Sequence, residues 1–163
     1  PVFERISNGI GYTFQITSIF VNLTVYENVA LAIRKDNSNG EENSVSEVLS
    51  KVGLLDRIEQ RSGDLSYGHQ RLLELAMGMA QKPKLLILDE PTQGLSDSEI
   101  ENFKKLIKDI SSSTTILLIE HNMDVVMSIA DNISVLHFGE IIADGDKETI
   151  QNDPIVQKAY LGD

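Results

Sequence analysis

The sequence predicts an α/β fold in which a parallel sheet is interrupted by an inserted helical lobe. Three observations carry that expectation. Lys84-Leu-Leu-Ile-Leu88 and Thr115 to Ile119 are short continuous apolar runs, suited to parallel strands buried on both faces. Between about residues 23 and 80 the apolar positions instead follow helical spacing, beginning with Val25, Val29, Ala32 and Ile33. From Lys84 onward strand-like and helix-like segments alternate, the order that builds an open parallel sheet with right-handed crossovers.

Taken in order, Gly9 to Gln15 reads as a short strand ending at a polar residue. Thr24, with Glu27 three positions on, forms a capping box that opens a helix to Ile33. Residues 35–44 read as a polar loop. A second helix runs from about Val45 to Val52 and stops at Gly53, and a third follows Asp64-Leu65-Ser66 to about Gln81. After the strand at 84–88 come a helix from about Asp97 to Ile110, the strand at 115–119 and a helix from about Asp124 to Ala130. A strand from Ile133 to Leu136 and a hairpin partner from Glu140 to Ala143 complete the series. The expected parts are a strand and loop over about 1–22, a helical subdomain over about 23–82, and a core with C-terminal hairpin and helix over about 83–163.

Composition narrows the class. At 163 residues one domain with a real core is expected, and 41% apolar with 24% charged residues is a globular balance. There are 25 acidic and 14 basic residues, a net charge of −11, which repels phosphate backbones and argues against nucleic-acid binding. Cysteine is absent, so disulfides and thiol chemistry are excluded. The apolar runs are far shorter than the roughly 20 residues that span a bilayer. The chain opens at Pro1 in mid-pattern, so a cut or incomplete N-terminus is expected.

Chemistry concentrates at a few places. Leu85-Leu-Ile-Leu-Asp-Glu90 ends an apolar strand in two adjacent carboxylates, and charge at a core edge is costly unless it has a task. In parallel α/β sheets ligands gather at the carboxyl ends of strands. Asp89 can there hold Mg²⁺, directly or through water, and Glu90 can orient and deprotonate a water attacking a γ-phosphate. An apolar run followed by Asp-Glu equally marks a plain strand entering a loop. Leu65-Ser-Tyr-Gly-His-Gln70 combines an N-cap, Ser66, with Gly68, which lets a ligand approach the backbone at the positive end of a helix. An ordinary capped helix reads the same way. His121 follows the strand at 115–119 on the same sheet edge as Glu90 and can donate to a γ-phosphate, or simply occupy a turn. Gln15 at the end of the first strand can bind Mg²⁺ or the attacking water, and Ser96 or Asp97 can cap the following helix.

Together these strings resemble the ABC ATPase family, in the family's own order. Gln15 resembles the Q-loop, Leu65 to His69 the Leu-Ser-Gly-Gly-Gln signature, Asp89 and Glu90 Walker B with its catalytic glutamate, Ser96 and Asp97 the D-loop, and His121 the switch histidine. The resemblance implies the C-terminal part of a P-loop NTPase (RecA-like) sheet with an inserted helical subdomain, binding ATP and Mg²⁺. It implies catalytic roles for Glu90 and His121, nucleotide contacts from Gln15, Ser66, Gly68, His69, Ser96 and Asp97, and metal contacts from Asp89 and Gln15. It also implies a head-to-tail pair with a second ATPase subunit, identical or not. Transmembrane permease subunits would dock on the lobe, with a solute-binding protein acting indirectly, at the inner face of a prokaryotic cell membrane.

Within the family, Leu23-Thr-Val-Tyr-Glu-Asn-Val, Glu120-His-Asn-Met-Asp and the ending Asp153-Pro-Ile-Val-Gln-Lys-Ala-Tyr-Leu-Gly162 resemble the branched-chain amino-acid importer ATPases. Urea importers and lipopolysaccharide exporters share several of these strings, and a non-catalytic module docking on a permease is a third reading. A soluble DNA-repair or translation protein of the family fits the acidic balance and the importer-like ending poorly.

Two departures bear on activity. No Gly-x-x-x-x-Gly-Lys-Ser/Thr, the Walker A loop that cradles the phosphates, occurs in the 163 residues, so this chain alone is expected to be inactive. In the signature Tyr67 stands for the first glycine and His69 for the glutamine, with Gln70 expected to keep a side-chain donor nearby. Apolar surface on the sheet is expected to be exposed.

Overall fold

The computed structural model describes residues 8–12, 18–33 and 41–161, and the chain divides into two compact units at His121/Asn122. Gln15 and the end of the strand expected there lie outside the described residues.

In the first unit three parallel strands lie in the order β1 (Ile10–Tyr12), β2 (Leu85–Asp89) and β3 (Thr115–Ile119). Strand pleating sends Leu86 and Leu88 to one face, both buried, as are Phe103, Ile107 and Ile110 of the helix Asp97–Ser111. The other face is not buried as the continuous apolar runs predict. There Tyr12, Leu117 and Ile119 are 43%, 49% and 47% exposed. Register explains the grouping, since Tyr12 pairs with Ile87, Ile87 with Leu117, and Asp89 with Ile119.

Between β1 and β2 lies the helical lobe: α1 (Val25–Ala32), α2 (Glu41–Lys51) and α3 (Tyr67–Ala80), with 3₁₀ turns at Leu55–Arg57 and Ser62–Asp64. Val25, Val29, Val45, Leu49, Leu54 and Leu73 are fully buried, and α1 and α2 both contact α3. The capping box is present, with the Thr24 N–H donating to Glu27 Oε2 at 2.7 Å and the Glu27 N–H to Thr24 Oγ1 at 3.1 Å. Helix α2 begins at Glu41 rather than Val45. Its first turn contains no apolar residue, so periodicity gives no sign of it. Helix α4 is Asp97–Ser111.

The second unit contains α5 (Met123–Ile129), β4 (Ile133–His137), β5 (Glu140–Gly145), α6 (Lys147–Asn152) and α7 (Pro154–Leu161). Its core is Ile133, Ile150 and Val156, with Val126, Met127, Val135 and Ala143 packed against them. Alternation predicts that the strand at 133–136 extends the parallel sheet. Among the described residues it pairs with its expected hairpin partner β5, antiparallel from Ile133–Gly145 to His137–Glu140, and not with the parallel strands. The turn at Phe138-Gly139 reverses the chain at once, so β5 takes up the β4 hydrogen bonds locally.

Candidate functional site

Asp89 ends β2, Glu90 follows it, and His121 follows β3, so the parallel register brings all three to one sheet edge. Glu90 leaves the strand in a left-handed conformation, φ +45°, which few non-glycine residues adopt. Three bonds hold its backbone there. Its N–H donates to the Ile119 carbonyl at 2.9 Å, and its own carbonyl accepts from Arg71 Nη2 at 3.1 Å and from the Gln93 N–H at 3.2 Å. The turn leaves the Glu90 carboxylate 3.6 Å from His121 Nδ1, with side-chain exposures of 26% and 72%. Strain at such a position persists only where surrounding bonds fix it.

Asp89 accepts a hydrogen bond from the Tyr12 hydroxyl at 3.0 Å, which raises the tyrosine pKa above its ordinary value. Hydrogen bonding to Asp89 is the main cause, with some desolvation and the carboxylate charge adding to it. The two are 77 positions apart, and no local pattern marks Tyr12.

Two supporting groups also escape the sequence reading. Arg71, buried in α3, pairs with buried Glu74 at 3.0 Å while bonding the Glu90 carbonyl. It thereby ties the signature helix to the turn that carries Glu90. Glu120 accepts from the Thr92 N–H at 2.9 Å and from the Thr92 hydroxyl, and from the His121 N–H at 3.1 Å. One carboxylate thus fixes both the loop after Glu90 and the backbone of His121.

Ser66 is the N-cap of α3, accepting from the His69 N–H at 3.3 Å, and its hydroxyl lies 3.0 Å from His69 Nδ1. Gln70 does not stand beside His69 as an outward donor. Its Nε2 turns back to the carbonyls of Ser62 and Leu65, each at 3.3 Å, bracing the loop before the helix. The Tyr67 ring lies against Gly94, where a Cβ would come within 2.9 Å of the ring.

The starts of α3 and α4 meet at Glu99. Ser96 donates to Glu99 Oε2 through its N–H at 2.8 Å and its hydroxyl at 2.7 Å. The other oxygen approaches Gly68 so closely that a Cβ there would stand 1.9 Å from it. An added Cβ would have to displace that oxygen, the far end of a flexible side chain. The Ser96 hydroxyl and amide hold the Glu99 carboxyl below its ordinary pKa against a small opposing effect of burial, with His69 adding a minor pull. Asp97 is the exposed first residue of α4.

The structure therefore gathers Asp89, Glu90 and His121 at one edge, and joins Ser66, Gly68 and His69 to Ser96 through Glu99. Arg71 links the two groups. A cavity of about 610 Å³, lined by Val48, Lys51, Met79, Pro83, Leu106 and Asp109, lies at the opposite, N-terminal ends of β2 and β3 and takes no part in this arrangement.

Among the described residues no group of three or more His, Asp or Glu could cage a metal. Asp89 offers a half-buried carboxylate at the end of β2. That donor fits Mg²⁺, which retains waters and shares phosphate oxygens rather than requiring an all-protein cage.

The ABC transporter family matches residues 2–93, and the branched-chain amino acid ATP-binding cassette transporter family matches residues 140–163. The high-affinity branched-chain amino acid transport ATP-binding protein LivG of Escherichia coli (strain K12) is 36% identical, over 95% of this chain and 68% of its own length. BraF of Pseudomonas aeruginosa, of the same description, is 38% identical over 100% of this chain and 71% of its length. The structure of MJ1267, an ATP-binding cassette of an ABC transporter, superposes with a TM-score of 0.84 at 26% identity, over 98% of this chain and 71% of that one. The chain belongs to the ATP-binding subunits of the ABC transporter family.

Proposed function

We propose that this chain forms most of the ATP-hydrolysing subunit of an importer for branched-chain amino acids. The observation that carries the reading is the Glu90 carboxylate fixed 3.6 Å from His121, with Asp89 beside it at the ends of β2 and β3. Glu90 takes the proton of the attacking water, and His121 donates a hydrogen bond to the γ-phosphate. Asp89 would hold Mg²⁺, which would supply positive charge to the phosphate oxygens. Ser66, Gly68 and His69, at the positive end of α3, meet the phosphate of a nucleotide held by a second subunit. Ser96 and Asp97 border that contact, and Gln15 contributes from the segment before the lobe.

Permease subunits dock on the helical lobe and hold the subunit at the inner face of the membrane. Among the described residues no helix is long and apolar enough to cross a membrane. The similarity to LivG and BraF and the match at residues 140–163 support the solute class. Because the 163 residues contain no Walker A loop, this chain by itself binds ATP weakly.

The test pairs a full-length form, carrying a phosphate loop, with its permease subunits in vesicles. ATP-driven uptake of leucine or isoleucine is expected. ATP hydrolysis coupled to urea uptake or to lipopolysaccharide extraction, with no amino-acid uptake, would overturn the solute assignment.

A further inference from the structure

We propose that Asn28 is a positioning residue that makes the segment Phe20–Leu23 and the start of the signature helix move as one body. Asn28 is fully buried, and each of its side-chain polar atoms is engaged. Its Oδ1 accepts from the Phe20 N–H at 2.8 Å. Its Nδ2 donates to the carbonyls of Phe20 at 3.2 Å and Thr24 at 2.9 Å, and to Ser62 Oγ at 2.7 Å. Ser62, also fully buried, passes the link on. Its hydroxyl donates to the Leu23 carbonyl at 2.8 Å and its N–H to the same oxygen at 2.9 Å. The Gly63 N–H adds a bond to the Val21 carbonyl at 3.0 Å. Gln70 then holds the Ser62 carbonyl from inside α3 at 3.3 Å, one turn from the Ser66 cap.

A buried polar network in which every member is satisfied is stiff, because any displacement strands a donor or acceptor away from water. This one runs from Phe20 through Asn28 and Ser62 to Gln70. At its outer end Phe20 and Val21 are 56% and 52% exposed, an apolar pair on the segment that follows Gln15. At its inner end lies Ser66. A partner pressing on Phe20 and Val21 therefore displaces the signature helix rather than bending the loop. That functional consequence rests on the reading of the lobe as a permease-docking surface, whereas the mechanical link does not.

The test separates the two. Hydrogen exchange is measured on this chain with Ser62→Ala, which removes only the bridging hydroxyl, and with Asn28→Ala. Exchange is expected to speed by about tenfold or more at His69 and Gln70, which Asn28 does not touch, as well as at Phe20. Acceleration confined to Phe20, Ser62 and Gly63 would make the network a local brace and overturn the proposal, whatever the transporter does. In the full-length subunit assembled with its permease, Ser62→Ala is expected to keep basal hydrolysis within about twofold while losing about tenfold of the permease-dependent stimulation. Stimulation at the unmodified level, with the permease still co-purifying, would overturn the functional consequence, while the exchange result alone decides the mechanical link.

Discussion

The carboxylate of Glu90 lies 3.6 Å from Nδ1 of His121, each carried by the end of a different parallel strand. Neither residue positions itself. The Ile119 carbonyl, Arg71 and the Gln93 amide fix the turn of Glu90, and Glu120 fixes the backbone at His121. Backbone bonds thus hold the two residues side by side at the sheet edge, the arrangement on which their proposed roles as proton acceptor and hydrogen-bond donor rest.

For His121 the expected outcome is loss of rate without loss of binding. In the full-length form, His121→Ala should lower the rate of ATP hydrolysis by about 10²-fold or more, the scale of one lost oxyanion donor. Steady-state phosphate release measures the rate, and nucleotide titration confirms that affinity changes little.

Arg71 should be structurally indispensable. Replacing it with methionine removes the cation paired with the buried Glu74 carboxylate and one of the bonds to the Glu90 carbonyl. Removing one partner of a buried pair costs about 3–5 kcal/mol, so Arg71→Met should lower the denaturation midpoint markedly. Urea unfolding followed by circular dichroism reads it. Replacing Lys51, whose pair with Glu47 is exposed, should change stability by less than about 1 kcal/mol.

Glu99 carries a pH dependence with a definite sign. Its carboxyl is held below its ordinary value of 4.5 by Ser96, so its contribution to stability is complete above that value. The contribution is lost as pH falls through the lower, folded-state value, when the Ser96 cap loses its charged acceptor. Glu99→Gln keeps a capping acceptor without the charge, so it should flatten the dependence of unfolding on pH below about 4.5. Gly68→Ala should disrupt the same cap sterically, by about 1 kcal/mol.

Calorimetric titration of this chain with ATP and Mg²⁺ should give little or no heat, since backbone amides of a Walker A loop supply most of the grip on the phosphates. Clear saturable binding would show that the grip arises elsewhere.

The parts of the fold that local patterns encode were legible in the sequence. The strand at 115–119, the Thr24–Glu27 box and the Ser66 cap of α3 each follow from neighbours within a few residues. The residues that hold the site were not. Tyr12 reaches Asp89 across 77 positions, Asn28 reaches Ser62 across 34, and Thr92 reaches Glu120 across 28. Such contacts exist only once the sheet register and the lobe are in place, so no periodicity or cap signal reports them. Gln70 illustrates the same limit. Its place beside His69 was plain, but its side chain answers to two carbonyls of the preceding loop. Strand β4 and its hairpin partner β5 were legible as a pair, but the alternation of elements also counted β4 into the parallel sheet, and among the described residues it pairs with β5 alone.

The most direct measurement is phosphate release by the full-length form carrying Glu90→Gln, beside the unsubstituted protein at saturating ATP and Mg²⁺. If Glu90 takes the proton of the attacking water, the rate should fall by about 10²–10⁴-fold with ATP still bound. A rate within about twofold of the unsubstituted protein would contradict a general-base role for Glu90 and with it the reading of this sheet edge as the hydrolytic site.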